Sequence, residues 1–304
     1  MNEKPPWPDL PLAAWSDTCD TLHRWTQVAG KIRLALTPLI NHWWNVTFLV
    51  SARGLVAPAN CYDRRPFDIV FDFVDHELRI TASDGRSESF ALRPMTVADF
   101  YAAFMARLHR LGIDVKIWTM PSEIENAVPF EADRAHAQYD RDYVERFHQA
   151  LLQSARVMND FRARFVGKAS PVHFFWGSFD LAVTRFSGRT APPPKGTTPS
   201  VASWVMAEAY SHEVSSCGFW PGNGGYGRAA FYVYAYPEPA GYGATPLQTP
   251  EAFYDKTVGQ FILPYDAVRQ AGDPDARLLG FLQETYAAAA DLANWDRAAL
   301  ERGH

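Results

Sequence analysis

Three histidines stand at or within strand-like patterns: His42 and His173 immediately before paired aromatics, Trp43-Trp44 and Phe174-Phe175, and His212 before Glu213 inside another. Neutral imidazole is the commonest biological metal ligand, and its ordinary pKa of about 6.5 suits proton transfer near neutrality. If the three rings converge, they would serve as acid/base groups or as ligands, and the cofactor such ligands would hold is a divalent transition metal. In an extended strand His212 and Glu213 point to opposite faces, as do His173 and Asp180 at an odd separation, so any ligand set must come from separate strands. The competing role for each ring is packing among aromatics with a backbone carbonyl as partner. Arg185, inside the apolar run LAVTRFSG, either pairs with a carboxylate such as Asp180 or Glu213 or orients an anionic substrate through its planar fork. Trp44 and Trp176, with Trp43 and Trp220, would stack a flat substrate or fill the core. His23, His109 and His148 fall on helical patterns and are expected to be partly exposed.

Several elements must position these residues. A helix is expected from Ser16, with Cys19, Leu22, Trp25, Thr26 and Ala29 at helical spacing and Gly30 as its stop. From His42, WWNVTFLVSARG is rich in aromatic and β-branched residues and predicts a strand. Phe67, Ile69, Phe71 and Phe73 alternate with Asp68, Val70 and Asp72 before a turn at Asp75-His76, which predicts a hairpin with one apolar face. Thr96 and Asp99 form a capping box that opens a helix covering that sheet. The polar stretch TMPSEIENAVPF (119–130) predicts a boundary, and a long helix follows over residues 140–166. Residues 162–176 then echo residues 31–44, pairing Arg33 with Arg164 and His42 with His173. Gly and Pro concentrate in the loops 191–199, 221–227 and 237–246, which interrupt the strands AYSHEVSSCGF and AAFYVYAY. Thr249-Pro250-Glu251 and Asp273-Pro274-Asp275 each predict a helix start. The expected fold is α+β: two pseudo-repeated helix plus antiparallel-sheet units, residues 1–128 and 129–304, packed as one body.

With 304 residues and 47% hydrophobic content, the chain can bury a full core. A net charge of −5 supplies no general attraction for nucleic acid. No apolar run approaches the ~18 residues of a membrane span, and no basic, apolar leader opens the chain. Three scattered cysteines fit a reducing, cytoplasmic setting rather than a disulfide framework. The aromatic content, 10 Trp, 13 Tyr and 20 Phe, must line a core, a pocket or a homo-oligomer interface. Gly222 to Gly227 fits G-x-G-x-x-G, but a strand pattern follows it where a dinucleotide fold needs a helix, so a hairpin loop is expected.

The runs WPDLPLAAWSDTCDTLHRWTQVAGKIRLAL, NHWWNVTFLVSARGL, SPVHFFWGSFDLAVTRFSGR and CGFWPG resemble the bacterial domain-of-unknown-function family 5996 from Trp7 almost to the end of the chain. The resemblance implies a bacterial, cytosolic protein and assigns no residue a role. The expected function is an enzyme acting on a small organic molecule in an aromatic cleft lined by histidines, with His42, His173 and His212 in catalytic or metal roles and Arg185, Trp44 and Trp176 on the substrate. A non-catalytic protein that binds a small ligand or a protein partner is the alternative.

Overall fold

Phe67, Ile69, Phe71 and Phe73 are all buried, so the period of two that predicts a half-buried hairpin is realised. The computed structural model describes residues 6–196 and 198–303. Helix α1 (Ser16–Leu36) leads through a 3-10 segment (Asn41–Val46) into a five-stranded meander: β1 (Leu49–Ser51), β2 (Gly54–Tyr62), β3 (Arg65–Asp72), β4 (Glu77–Ala82) and β5 (Ser87–Ala91). Helix α2 (Val97–Arg110) covers it, opened by Thr96, whose hydroxyl accepts the Asp99 N–H at 3.0 Å. The chain then forms α3 (Arg141–Ala163), β6 (His173–Phe175), β7 (Asp180–Thr190), α4 (Ser203–Ala209), β8 (His212–Trp220), β9 (Ala230–Tyr236), β10 (Phe253–Asp255), β11 (Gln260–Pro264), α5 (Tyr265–Arg269), α6 (Pro274–Leu292) and α7 (Arg297–Leu300). The second sheet has the order β10-β11-β9-β8-β7-β6 and is antiparallel throughout. The class is therefore α+β.

One continuous core runs through both sheets and their helices. Trp25 of α1 is fully buried, stacked on Phe100 with ring centres 4.7 Å apart and on Tyr139 at 5.5 Å. Such aromatic pairs contribute about 0.5–1.5 kcal/mol each beyond the area they bury. The sheets join edge to edge where Phe48 and Phe174 exchange backbone hydrogen bonds of 2.9 and 2.8 Å. Helices α3 and α6 pack on one face of the second sheet. Among the described residues, no helix is long and apolar enough to cross a membrane.

Three expectations change. Helix α1 continues through Gly30 to Leu36, because that glycine serves packing: a Cβ there would overlap the Trp176 indole. The strand expected from His42 is a 3-10 segment in which His42 and Trp43 adopt left-handed backbone, with φ of 58° and 63°. Thr249-Pro250-Glu251 forms a turn before β10 rather than a helix, whereas Asp273 caps α6 as expected, accepting the Ala276 N–H at 3.0 Å.

Candidate functional site

On its face away from α3 and α6, the second sheet floors a cavity of about 510 Å³. Asp180, Ala182, Thr184 and Phe186 of β7, Val214 and Ser216 of β8, and Tyr232 and Tyr234 of β9 form the floor. The alternating residues of the same strands, including Leu181, Val183, Cys217, Phe219, Phe231 and Val233, enter the core. The walls come from Trp43, Trp44 and Trp176, and from α4, which is fixed by the Trp43 indole donating to the Val205 carbonyl at 2.8 Å. Trp118 and Trp204, each 61% exposed, stand at the mouth.

The polar end of the cavity is acidic. Gly218 has no side chain, and the Tyr232 phenol occupies that space, crossing β8 to donate to Asp180 on β7. Ser178 donates to the other Asp180 oxygen at 2.5 Å. Burial pushes the Asp180 carboxyl up, while these two donors favour its ionised form. Burial and the adjacent charge of Asp180 hold the Tyr232 phenol far above its ordinary value, so it remains a donor. Tyr210 and Tyr234 share a hydrogen bond of 3.0 Å beside them.

Glu123 faces Asp180 from the segment that composition marked as a boundary. Its backbone is left-handed, with φ of 61°, and its N–H donates to the Pro199 carbonyl at 2.9 Å. Holding a non-glycine residue there costs on the order of 1 kcal/mol, a strain that recurs at functional sites. Glu123 is exposed as a residue, yet its carboxyl lies on the backbone of Gly177, where a Cβ would overlap Oε1. Surrounding protein therefore governs its affinity for protons: burial first, and then the charge of Asp180, push the carboxyl up to about 7. Among the described residues it accepts no hydrogen bond, unlike Asp180. Burial thus pushes both acids up, but Asp180 has two donors that offset part of the shift, whereas Glu123 is poised to exchange a proton near neutrality.

The loop that carries Glu123 is held by a polar stripe at helical spacing on α1. His23 donates to the Gly177 carbonyl at 2.8 Å, Gln27 makes reciprocal hydrogen bonds with the Ser122 backbone at 2.7 and 2.8 Å, and Lys31 reaches the Ser122 hydroxyl at 3.0 Å. All three are buried, which corrects the expectation that His23 is partly exposed; His148 is buried as well, while His109 is exposed. Burial lowers His23 to about 4, which keeps it neutral.

The histidine triad does not assemble in the cavity. His42 lines it, but Nδ1 donates to the Ala209 carbonyl at 3.2 Å and Nε2 lies 2.6 Å from the Lys168 ammonium, which would repel a metal ion. His212 meets His42 edge-on at 5.6 Å without lining the cavity. His173 is buried behind Trp44, with ring centres 6.2 Å apart, and burial lowers it to about 4. No group of three or more metal-ligating side chains among the described residues could hold an ion. Arg185 lies on the opposite face of β7, so it cannot orient a substrate there. Its guanidinium stacks 3.5 Å above Phe161 and 4.2 Å from Tyr286 and donates to the Phe161 carbonyl. Neither carboxylate expected as its partner reaches it: Glu213 pairs with Arg189 and Asp180 faces the cavity. Trp44 and Trp176 do line the cavity. Glu123 and Lys31 escaped the sequence reading, although the i, i+4, i+8 spacing of His23, Gln27 and Lys31 on α1 was a legible signal for a polar seam.

The model of the Family of unknown function (DUF5996) matches residues 7–302. No curated protein matches the chain, and no solved structure does.

Proposed function

The chain belongs to the family of unknown function DUF5996, so its activity has to be argued from its own site, and we propose that it is an enzyme performing general acid–base chemistry on a small, largely apolar organic molecule. One observation carries this reading: two carboxyl groups, Glu123 and Asp180, both pushed up by burial, lie at the polar end of an aromatic cavity, Asp180 with two hydrogen-bond donors and Glu123 with none among the described residues. Glu123 would give or take the proton. Asp180, fixed by Ser178 and Tyr232, would keep Glu123 near its working range and stabilise positive charge developing on the substrate. The aromatic walls would bind the molecule's flat or apolar body and exclude water. The proposed setting is the bacterial cytoplasm, in keeping with three unpaired cysteines.

A screen of small aromatic and alicyclic esters, lactones, amides and glycosides tests the reading. Turnover should fall by about 10²–10⁴ in Glu123→Gln. Turnover that persists undiminished in that variant removes Glu123 from the chemistry. The predominance of aromatic wall over polar groups favours a second reading, a non-catalytic binder of the same molecules, in which Glu123→Gln alters affinity and no turnover is found.

A further inference from the structure

Lys31 lines the cavity and is only 3% exposed, yet among the described residues it forms no ion pair. Its ammonium donates to the Ser122 hydroxyl at 3.0 Å and lies over the Trp118 ring at 4.8 Å and the Trp176 ring at 5.9 Å. A buried cation loses its hydration, and ring faces and one neutral hydroxyl recover only part of it. Burial alone lowers the ammonium, to about 8, with no carboxylate among the groups acting on it. At neutral pH it therefore remains largely charged, with donor capacity left for something that enters from the cavity.

We propose that Lys31 is the anion-binding group of the cavity and that the cognate small molecule carries a single carboxylate, docked on the ammonium beside Trp118 and Trp176 with its apolar body toward Trp44, Phe175 and Phe186. The proposal rests on reading the cavity as the substrate site, but not on proton transfer by Glu123. Among the described residues that line the cavity Lys31 carries the one ammonium, which matches one negative charge. A dianion such as a phosphate monoester would need more donors, and it would meet the carboxyls of Glu123 and Asp180 across the same space. Because Lys31 is anchored on the Ser122 hydroxyl, next in sequence to Glu123, a carboxylate on Lys31 would bring the atoms next to it toward the Glu123 end of the cavity.

Calorimetric titration with benzoate, cyclohexanecarboxylate and 2-naphthoate, each against its neutral amide, tests this. At least one acid should bind tenfold or more tightly than its amide. Lys31→Met should erase that preference while leaving the amide's affinity in place, and Lys31→Arg should retain it. The pH profile of acid binding is read in Glu123→Gln, which removes the carboxyl titrating near 7, and affinity should fall as pH rises past about 8. This measurement decides the matter even if Lys31→Met does not fold. If no acid is preferred over its amide, if the preference survives Lys31→Met, or if affinity is flat across that pH range, Lys31 is not an anion site. Loss of turnover in Glu123→Gln with the acid preference intact supports both proposals; an intact preference alongside undiminished turnover sinks only the acid–base reading.

Discussion

Replacing Glu123 by Gln removes a carboxyl whose proton the fold holds to about pH 7, whereas the unfolded chain releases it near 4.5. Between those values the folded state binds more protons than the unfolded one, so this group's contribution to stability falls as pH rises and is constant above 7. The Tm of Glu123→Gln relative to the parent should therefore climb from pH 4.5 to 7 and then level off; a flat difference would mean that the carboxyl is not perturbed. Gly177→Ala tests the same group from below. The added methyl meets the far end of the Glu123 side chain, which can swing away, so stability should change by less than about 1 kcal/mol while the carboxyl's titration, followed by carbon NMR, moves toward its ordinary range. Arg185→Met exchanges a buried cation that forms no ion pair among the described residues for an apolar chain of similar length. We expect neutral or increased stability in urea, by up to ~4 kcal/mol, with binding in the cavity unchanged. At this scale the sequence was a partial guide. Alternation along β7 sets Arg185 and Asp180 on opposite sides, against the pairing expected of them, and no local pattern tells which side is hollow. Glu123 sits between prolines in a polar loop, where propensity describes the backbone and says nothing of the helix packed beneath it.

Strand register builds the acidic end, because the Asp180 and Tyr232 side chains meet only across a residue that lacks one. Gly218→Ala would push a methyl into the Tyr232 ring and the Leu181 carbonyl, and the carbonyl cannot rotate away. Chemical denaturation should show a loss of about 1–3 kcal/mol, in contrast to Gly177→Ala. Elements with one apolar face were legible: the β3–β4 hairpin, α2 with its Thr96 cap, α3, and α6 behind Asp273 form where periodicity and capping place them. Segments set by long-range contact were not. Gly30 looks like a helix stop until Trp176 fills the groove it opens, and the aromatic content of residues 43–48 resembles a strand although docking against α4 holds His42 and Trp43 in left-handed backbone.

Several contacts cross between the two units expected from the sequence. His23 of α1 bonds to Gly177, the Trp176 indole donates to the Val46 carbonyl at 2.8 Å, and the Phe48–Phe174 bridge joins the sheets. Residues 1–128 or 129–304 expressed alone would expose the apolar surfaces that these contacts cover. We therefore expect neither piece to show the near-ultraviolet circular dichroism of packed aromatics, and the whole chain to unfold in a single transition. Two separated transitions would show that the halves are independent. The second sheet has a consequence for how this protein can vary. In β7, β8 and β9 the chain numbering happens to keep step with the pleat: even positions such as 180, 184, 216, 232 and 234 border the hollow, while odd positions such as 181, 183, 217, 219, 231 and 233 are core. A saturation scan of these three strands should accordingly sort by parity, with even-numbered changes retuning which molecules are accepted and odd-numbered ones deciding whether the chain folds.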